Sequence, residues 1–284
     1  TLNTVNQDEL KNKYLVQMFN RYATYNGSSP YKTPGMMSLI QHLENHYGTY
    51  IPVGGMHEIS KSLYNLAKRI GVKFNFNSEI TKLKINNKRI SYLEINKTKR
   101  VEADYIISNV DTHHFYNKLL GKKISHSSLK AERSSSAVIF YWCMKNTNTD
   151  LDLHNIFFAS DYKSEFKSIF EKKELYDDPT VYVNITSKDV KEDAPNNCEN
   201  WFVMVNAPHN TNQNWDSEIK ILKKAIIRKL EKILKINISD KLIEEKIYSP
   251  LDLDKNTNSY LGSLYGTSSN DMFSSFLRHP NFSR

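Results

Sequence analysis

Apolar positions recur at helical spacing over residues 8–22, where Leu10, Tyr14, Leu15, Met18 and Phe19 share one stripe. The same period returns over 36–48, closed by Gly48 at a position suited to a helix end, and over 57–71, where Ile59, Leu63, Leu66, Ala67 and Ile70 mark one face. Between the first two helices, residues 26–35 hold two prolines and two glycines and read as a loop. Residues 48–56 form a short extended run into the pair Gly54–Gly55. After Gly71 the period changes to alternation, and 72–77, 79–85, 89–95 and 100–110 read as successive short strands with turns at 86–88 and 96–99. Apolar runs at 137–144, 155–160, 180–187 and 201–207 predict a second, larger sheet. The longest helical pattern covers 216–236, with Ile219, Leu222, Ile226, Leu230, Ile233 and Leu234 on one side, lysines on the other, and Asp216 or Ser217 as its cap. A core-packed helix with a solvated outer face and a lipid-facing helix both fit that pattern. Together the elements predict a mixed α/β (α+β) chain.

Composition narrows the class. Of 284 residues, 39% are hydrophobic and 25% charged, which excludes a disordered chain and allows one large domain or two ordinary ones. Lys and Arg number 39 against 31 Asp and Glu, a net charge of +8, spread along the chain without a basic tail or an Arg cluster. Such a spread suits a solvated or membrane-facing surface, and no nucleic-acid partner is expected. No apolar run approaches the ~18 residues of a spanning helix and no signal-peptide pattern opens the chain, so a cytoplasmic location with peripheral membrane contact is expected. Cys143 and Cys198 match no metal or redox spacing, and Cys143 reads as a small buried hydrophobe.

Candidate chemistry is sparse. Gly54–Gly55 joins an extended run to a helix start, where positive φ and unpaired N–H groups suit a flavin ring, a phosphate or a plain tight turn. No G-x-G-x-x-G or G-x-x-x-x-G-K-[ST] accompanies it. His42 and His46 are spaced to share a helix face but lack a third ligand and an H-E-x-x-H context, so no metal is expected. The absence of G-x-S-x-G argues against a hydrolase.

Residues 21–60, with RYATYNGSSPYKTPG followed by a helix and IPVGGM, resemble the central segment of the phytoene-desaturase family of flavoprotein oxidoreductases. The segments 103–111, 153–162, 177–190, 194–195, 206–210, 262–270 and 276–282 follow in that family's order, and the version at 23–44 is similar to hydroxycarotenoid 3,4-desaturases. The resemblance implies an incomplete Rossmann-like FAD-binding domain with a β-meander and a mixed-sheet substrate domain of the amine-oxidase/phytoene-desaturase type. Residues 1–50 would be substrate-domain helices, 51–112 part of the FAD domain, 113–260 the substrate domain and 261–284 a return to the FAD domain. The implied reaction is FAD-dependent desaturation of a C40 carotenoid, with a hydride leaving an allylic carbon and a proton the adjacent one. Gly54, Gly55 and Met56 would approach the flavin, and Glu79, Ile80, Ser108 and Asn109 would lie along its adenine side. Tyr22, Tyr25, Phe140, Tyr141, Trp142 and Phe157 would line the substrate tunnel, while Arg21 and His154 would handle the proton. The family's N-terminal G-x-G-x-x-G and its later HPG-type segment are absent from these 284 residues. The chain is therefore expected to be a fragment that alone binds FAD weakly and is inactive. Its expected partners are the carotenoid and a membrane surface. Two other readings stand beside this one: a different flavin oxidoreductase of the amine-oxidase superfamily, or a carotenoid isomerase, and a non-catalytic lipid-binding module using the 216–236 helix.

Overall fold

The computed structural model describes residues 1–87, 89–121, 130–145, 147–271 and 273, so the 276–282 segment lies outside the described residues. The chain opens with α1 (Leu2–Glu9) and α2 (Lys13–Asn20), a 3₁₀ turn (Arg21–Asn26) and α3 (Ser38–Tyr47). The one helix expected over 8–22 is broken because Asn12 caps α2. Its side-chain oxygen accepts from the backbone N–H of Tyr14 at 2.8 Å and of Leu15 at 3.4 Å, which ends α1 before it. After the diglycine turn comes α4 (His57–Arg69), which carries an apolar stripe yet buries none of its residues.

β1 (Ile80–Asn86), β2 (Arg89–Ile95) and β3 (Lys99–Val101) form an antiparallel meander in that order. It is narrower than the sequence pattern implied. Residues 72–77 and 102–110 are not strands, since neither has a neighbouring strand among the described residues to pair its backbone groups. Tyr105 and Ile107 are 92% and 97% exposed as a result. A short α5 (Thr112–His114), capped by Asp111, runs into a π turn at Phe115–Leu119.

The larger sheet contains β4 (Ser136–Lys145), β5 (His154–Phe157), then, after α6 (Tyr162–Lys167), β6 (Val181–Asn184) and β7 (Cys198–Ala207). α7 (Trp215–Leu234) and α8 (Ile238–Lys241) lead to β8 (Leu242–Tyr248) and α9 (Pro250–Thr257). Every pairing is antiparallel, in the spatial order β5-β6-β7-β4-β8. The edge strand β8 escaped the sequence pattern because Glu244 and Glu245 interrupt its alternation, as charges on an edge strand commonly do.

Alternation along β4, β6 and β7 sends Val138, Phe140, Trp142, Val181, Val183, Trp201 and Val203 to one face. There they pack against Leu222, Ile226 and Leu230 of α7, each of which stabilises the fold by about 1.5–3 kcal/mol through burial. The indole N–H groups are paired as well, Trp142 donating to Glu245 at 2.8 Å and Trp201 to Glu199 at 2.9 Å. α7 is capped by Asn214, not by Asp216 or Ser217. Most of its apolar face packs against the core, as a core-packed helix would, with Ile233 left 51% exposed; Lys223 and Lys229 reach Glu245 and Asp178 at 2.7 Å each. Among the described residues no helix is long and apolar enough to cross a membrane.

Cys143 departs from expectation. It is half-buried on the face away from α7, and Cys198, opposite Lys145, lies diagonal to it across the β4–β7 ladder.

Three segments distant in sequence meet at a joint of small residues. Ser135 N–H donates to the Gly27 carbonyl and Ser134 N–H to that of Gly266, both at 2.9 Å. Ser29 N–H donates to Asn270 Oδ1 at 2.7 Å, and Ser269 N–H to Ser28 Oγ at 2.8 Å. Gly27 has φ of 57°, and a Cβ there would lie 2.7 Å from the Tyr265 ring and 2.9 Å from Ser134 Cβ, so glycine alone fits.

Candidate active site

The sheet face opposite α7 carries one ring on each strand. In spatial order they are His154, Tyr182, Phe202, Tyr141 and Tyr248, with successive centroids 6.1, 6.3, 5.4 and 5.9 Å apart. Three of the contacts are edge-to-face, and His154 stacks on Tyr182 at an interplanar angle of 21°. The same alternation that sends Val181, Val183 and Val203 into the core sends Tyr182 and Phe202 out. The result is an aromatic ladder running across all five strands.

The 3₁₀ turn after α2 brings Arg21, Tyr22 and Tyr25 to this ladder. The Arg21 guanidinium lies 5.8 Å from the Tyr182 ring centroid, and its Nη1 is buried with no hydrogen-bond partner among the described residues. Tyr22 and Tyr25 stack at 5.6 Å and donate to the two carboxylate oxygens of Glu44 in α3, at 2.7 and 2.5 Å. Burial first, and the Glu44 carboxylate second, push the Tyr22 hydroxyl up to about 12; the same causes raise Tyr25. Both therefore stay neutral. His154 Nδ1 sits 2.8 Å from the Tyr182 hydroxyl and 3.3 Å from Asn184 Nδ2. Burial raises Tyr182, while Arg21 and a hydrogen bond from Asn184 oppose that rise.

At the His154 end of the sheet the loop after β6 meets the diglycine turn. Gly54 and Gly55 have φ of 84° and 89°, and a Cβ on Gly55 would lie 3.9 Å from Val190 Cγ2. The exposed Met56 follows, and α4 begins with no side-chain cap, the N–H groups of Glu58 and Ile59 donating instead to the carbonyls of Gly55 (3.1 Å) and Met56 (3.3 Å). Glu79 and Ile80 open β1, and Glu79 is near enough to His114 to raise its imidazole against burial. Ser108 and Asn109 are exposed just before the Asp111 cap of that same turn. A cavity of about 450 Å³ opens at this end of the ladder face, bounded by Tyr141, Phe202, Asn184, Thr186, Asp193 and Asn200.

Residues 3–138 match the family described as flavin containing amine oxidoreductase. The chain is 48% identical over 285 residues to the 1-hydroxycarotenoid 3,4-desaturase of Flavobacterium sp. (strain P99-3), an alignment that covers 99% of this chain and 58% of that protein. Along nearly its whole length the chain is similar to a carotenoid desaturase, and over residues 3–138 to the flavin containing amine oxidoreductases. It is also 29% identical over 261 residues to a 4,4'-diaponeurosporene oxygenase of Staphylococcus aureus, covering 90% of this chain and 52% of that one. The chain thus spans little more than half the length of these curated relatives. Two solved structures share its fold. They are an oxidoreductase from Methanosarcina mazei (TM-score 0.59, 15% identity, 87% of this chain and 56% of that one) and the PF1083 protein from Pyrococcus furiosus (TM-score 0.56, 13% identity, 87% and 57%).

A flavin is the cofactor this family implies. The residues present fit its ring edge in one respect: Gly54, exposed and at positive φ, lets a flat ring approach the turn backbone without a side chain in the way. They offer no glycine-rich phosphate loop.

Among the residues named from sequence, the structure gathers Arg21, Tyr22, Tyr25, Tyr141 and His154 around the ladder. Phe140, Trp142 and Phe157 face α7 on the other side of the sheet. Tyr182, Phe202 and Tyr248 were not anticipated. Strand alternation within 180–187 and 201–207 could have found the first two, by separating each run into an inward and an outward set.

Proposed function

We propose that the chain is the substrate-binding part of an FAD-dependent carotenoid desaturase acting on an acyclic, 1-hydroxylated C40 polyene. The aromatic ladder is the observation that carries this reading. A polyene is long, flat and almost wholly hydrocarbon, and a row of rings across five strands offers it an extended apolar platform with few polar groups to desolvate. Gly54, Gly55 and Met56 would hold the isoalloxazine edge, with Glu79, Ile80, Ser108 and Asn109 towards the adenine. When bound, FAD supplies the hydride acceptor. The chain's own residues then orient the polyene, exclude water and take up the proton lost from the neighbouring carbon.

For that proton, Tyr182 and His154 form the natural path. A hydroxyl with a raised pKa is a poor base, but it passes its proton to His154 Nδ1 as it receives another, and His154 is exposed to solvent. Arg21, lying over the Tyr182 ring, orients it. A substrate of this kind arrives from lipid. Exposed Tyr14, Leu15 and Met18 on α2, with Leu39 and Leu43 on α3, offer a peripheral membrane contact beside the ladder.

The test is product analysis with flavin-loaded full-length protein and acyclic carotenoids in liposomes. The expected product is lighter by two hydrogens per step, and Phe202→Ala should lower kcat/KM about tenfold by removing a rung. Flavin binding without polyene turnover would point to another amine-oxidase-type reaction. Isomerised product of unchanged mass would point to an isomerase, and absence of bound flavin to a lipid-binding module.

A further inference from the structure

The cavity at the diglycine end of the ladder is not uniformly apolar. Tyr141, Phe202 and Cys143 line it together with Glu244, Glu245 and Lys246 of β8, and the loop after β6 adds a connected set of polar groups. Asn200 Nδ2 donates to Thr186 Oγ1 at 2.6 Å, Thr186 Oγ1 donates to Asp193 Oδ2 at 2.5 Å, and Ser187 N–H donates to Asn200 Oδ1 at 2.9 Å. That wiring uses both roles of the threonine hydroxyl and leaves two valences open: Asp193 Oδ1 as an acceptor and the second N–H of Asn200 as a donor. One acceptor and one donor side by side are what a single alcohol needs to be satisfied out of water.

We propose that this polar wall reads the terminal hydroxyl of a hydroxylated carotenoid, with Asp193 and Asn200 as its partners and Thr186 holding the two in register. The proposal rests on the desaturase reading above and deepens it. Two further features support it. A cavity of about 450 Å³ takes the end of a C40 chain, leaving the rest to lie along the ladder. The second feature is placement. In a 1-hydroxylated polyene desaturated at carbons 3 and 4, the hydroxyl oxygen is only three bonds from the nearer carbon that reacts, so its reader has to sit beside the flavin edge. The loop that carries Thr186 and Asp193 also carries Val190, the residue against Gly55, and it is braced by hydrogen bonds from Val190 N–H to the Thr186 carbonyl (2.8 Å) and from Asp193 N–H to the Val190 carbonyl (3.1 Å). One loop thus joins the recognition of the alcohol to the flavin-facing turn.

The experiment compares a 1-hydroxylated acyclic carotenoid with its non-hydroxylated parent, using flavin-loaded full-length protein as wild type, Asp193→Ala and Thr186→Val. Wild type should prefer the hydroxylated substrate. Each variant should lower kcat/KM for it about tenfold, mostly through KM, while the parent changes less than twofold. Polyene binding, read as quenching of tryptophan fluorescence, should lose the same discrimination without turnover. If both substrates weaken alike, the polar set only braces the loop and the proposal is overturned; it is equally overturned if wild type does not discriminate. Should Thr186→Val fail to fold, the exposed Asp193 and the wild-type discrimination still decide. Wild type inactive on both polyenes would instead bring down the desaturase reading itself, and this proposal with it.

Discussion

α4 and α7 carry the same kind of apolar stripe and meet opposite fates. α7 buries Leu222, Ile226 and Leu230 against the five-stranded sheet, whereas α4 leaves Ile59, Leu63, Leu66 and Ile70 between 43% and 71% exposed. The strands beside them differ in the same way. β4 and β7 are lined with residues at or near zero exposure, while the meander contributes Leu83 alone to the list of buried hydrophobic residues among those described. An amphipathic pattern states that a face requires a partner; it does not say that the partner is present. The region proposed to hold substrate is a well-packed unit, and the region that would meet the flavin is an open one.

The comparison would break most decisively in hydrogen exchange. Amides of β4 and β7 should open only with the whole sheet, and those of β1 to β3 and α4 by local unfolding, giving protection roughly a hundredfold or more higher in the former. Equal protection would mean that the two regions form one cooperative unit. Next in size, Trp201→Ala should cost about 3–5 kcal/mol in chemical denaturation, and Leu63→Ala no more than about 0.5 kcal/mol. A costly Leu63→Ala would reveal packing on α4. Smaller still is an acid sensitivity confined to the packed region. Burial, with Lys173 adding to it, pushes the His209 imidazole down from 6.5 to about 4. Between those values the unfolded chain binds the extra proton. Stability should therefore rise with pH across that window and be lost as pH falls towards 4, by about 3 kcal/mol at most. Melting temperatures of wild type and His209→Gln from pH 4 to 7 check this, the variant giving the flatter profile.

Much of this organisation was legible in the sequence. The helices at 57–71 and 216–236 and the strand runs of the larger sheet follow from period alone, since each side of those elements has a distinct environment. The signals that failed were ones that need a neighbour. Residues 72–77 and 102–110 alternate like strands, yet pairing is decided by what lies alongside. Phe140 and Trp142 were placed with Tyr141 because all three are aromatic and adjacent, although adjacency on a strand puts neighbours on opposite faces. The Arg21–Tyr182–His154 association joins residues separated by more than a hundred positions, and Tyr182 has no local mark beyond its place in an alternating run.

The serine and glycine joint carries a consequence for the time at which the molecule becomes whole. Ser29 and its partner Asn270 are 241 positions apart, and Ser28 and Ser269 equally so. At a ribosomal pace of about 5–20 residues per second, the early half of that joint waits roughly 10 to 50 s for its mate to be made. For that interval the Ser29 N–H lacks Asn270 and the Ser28 hydroxyl lacks the Ser269 N–H, and Tyr265 has not yet arrived to cover Gly27. Residues 27–29 of a nascent chain thus stay unfinished, in reach of chaperones and proteases, until after β8 of the larger sheet has been made.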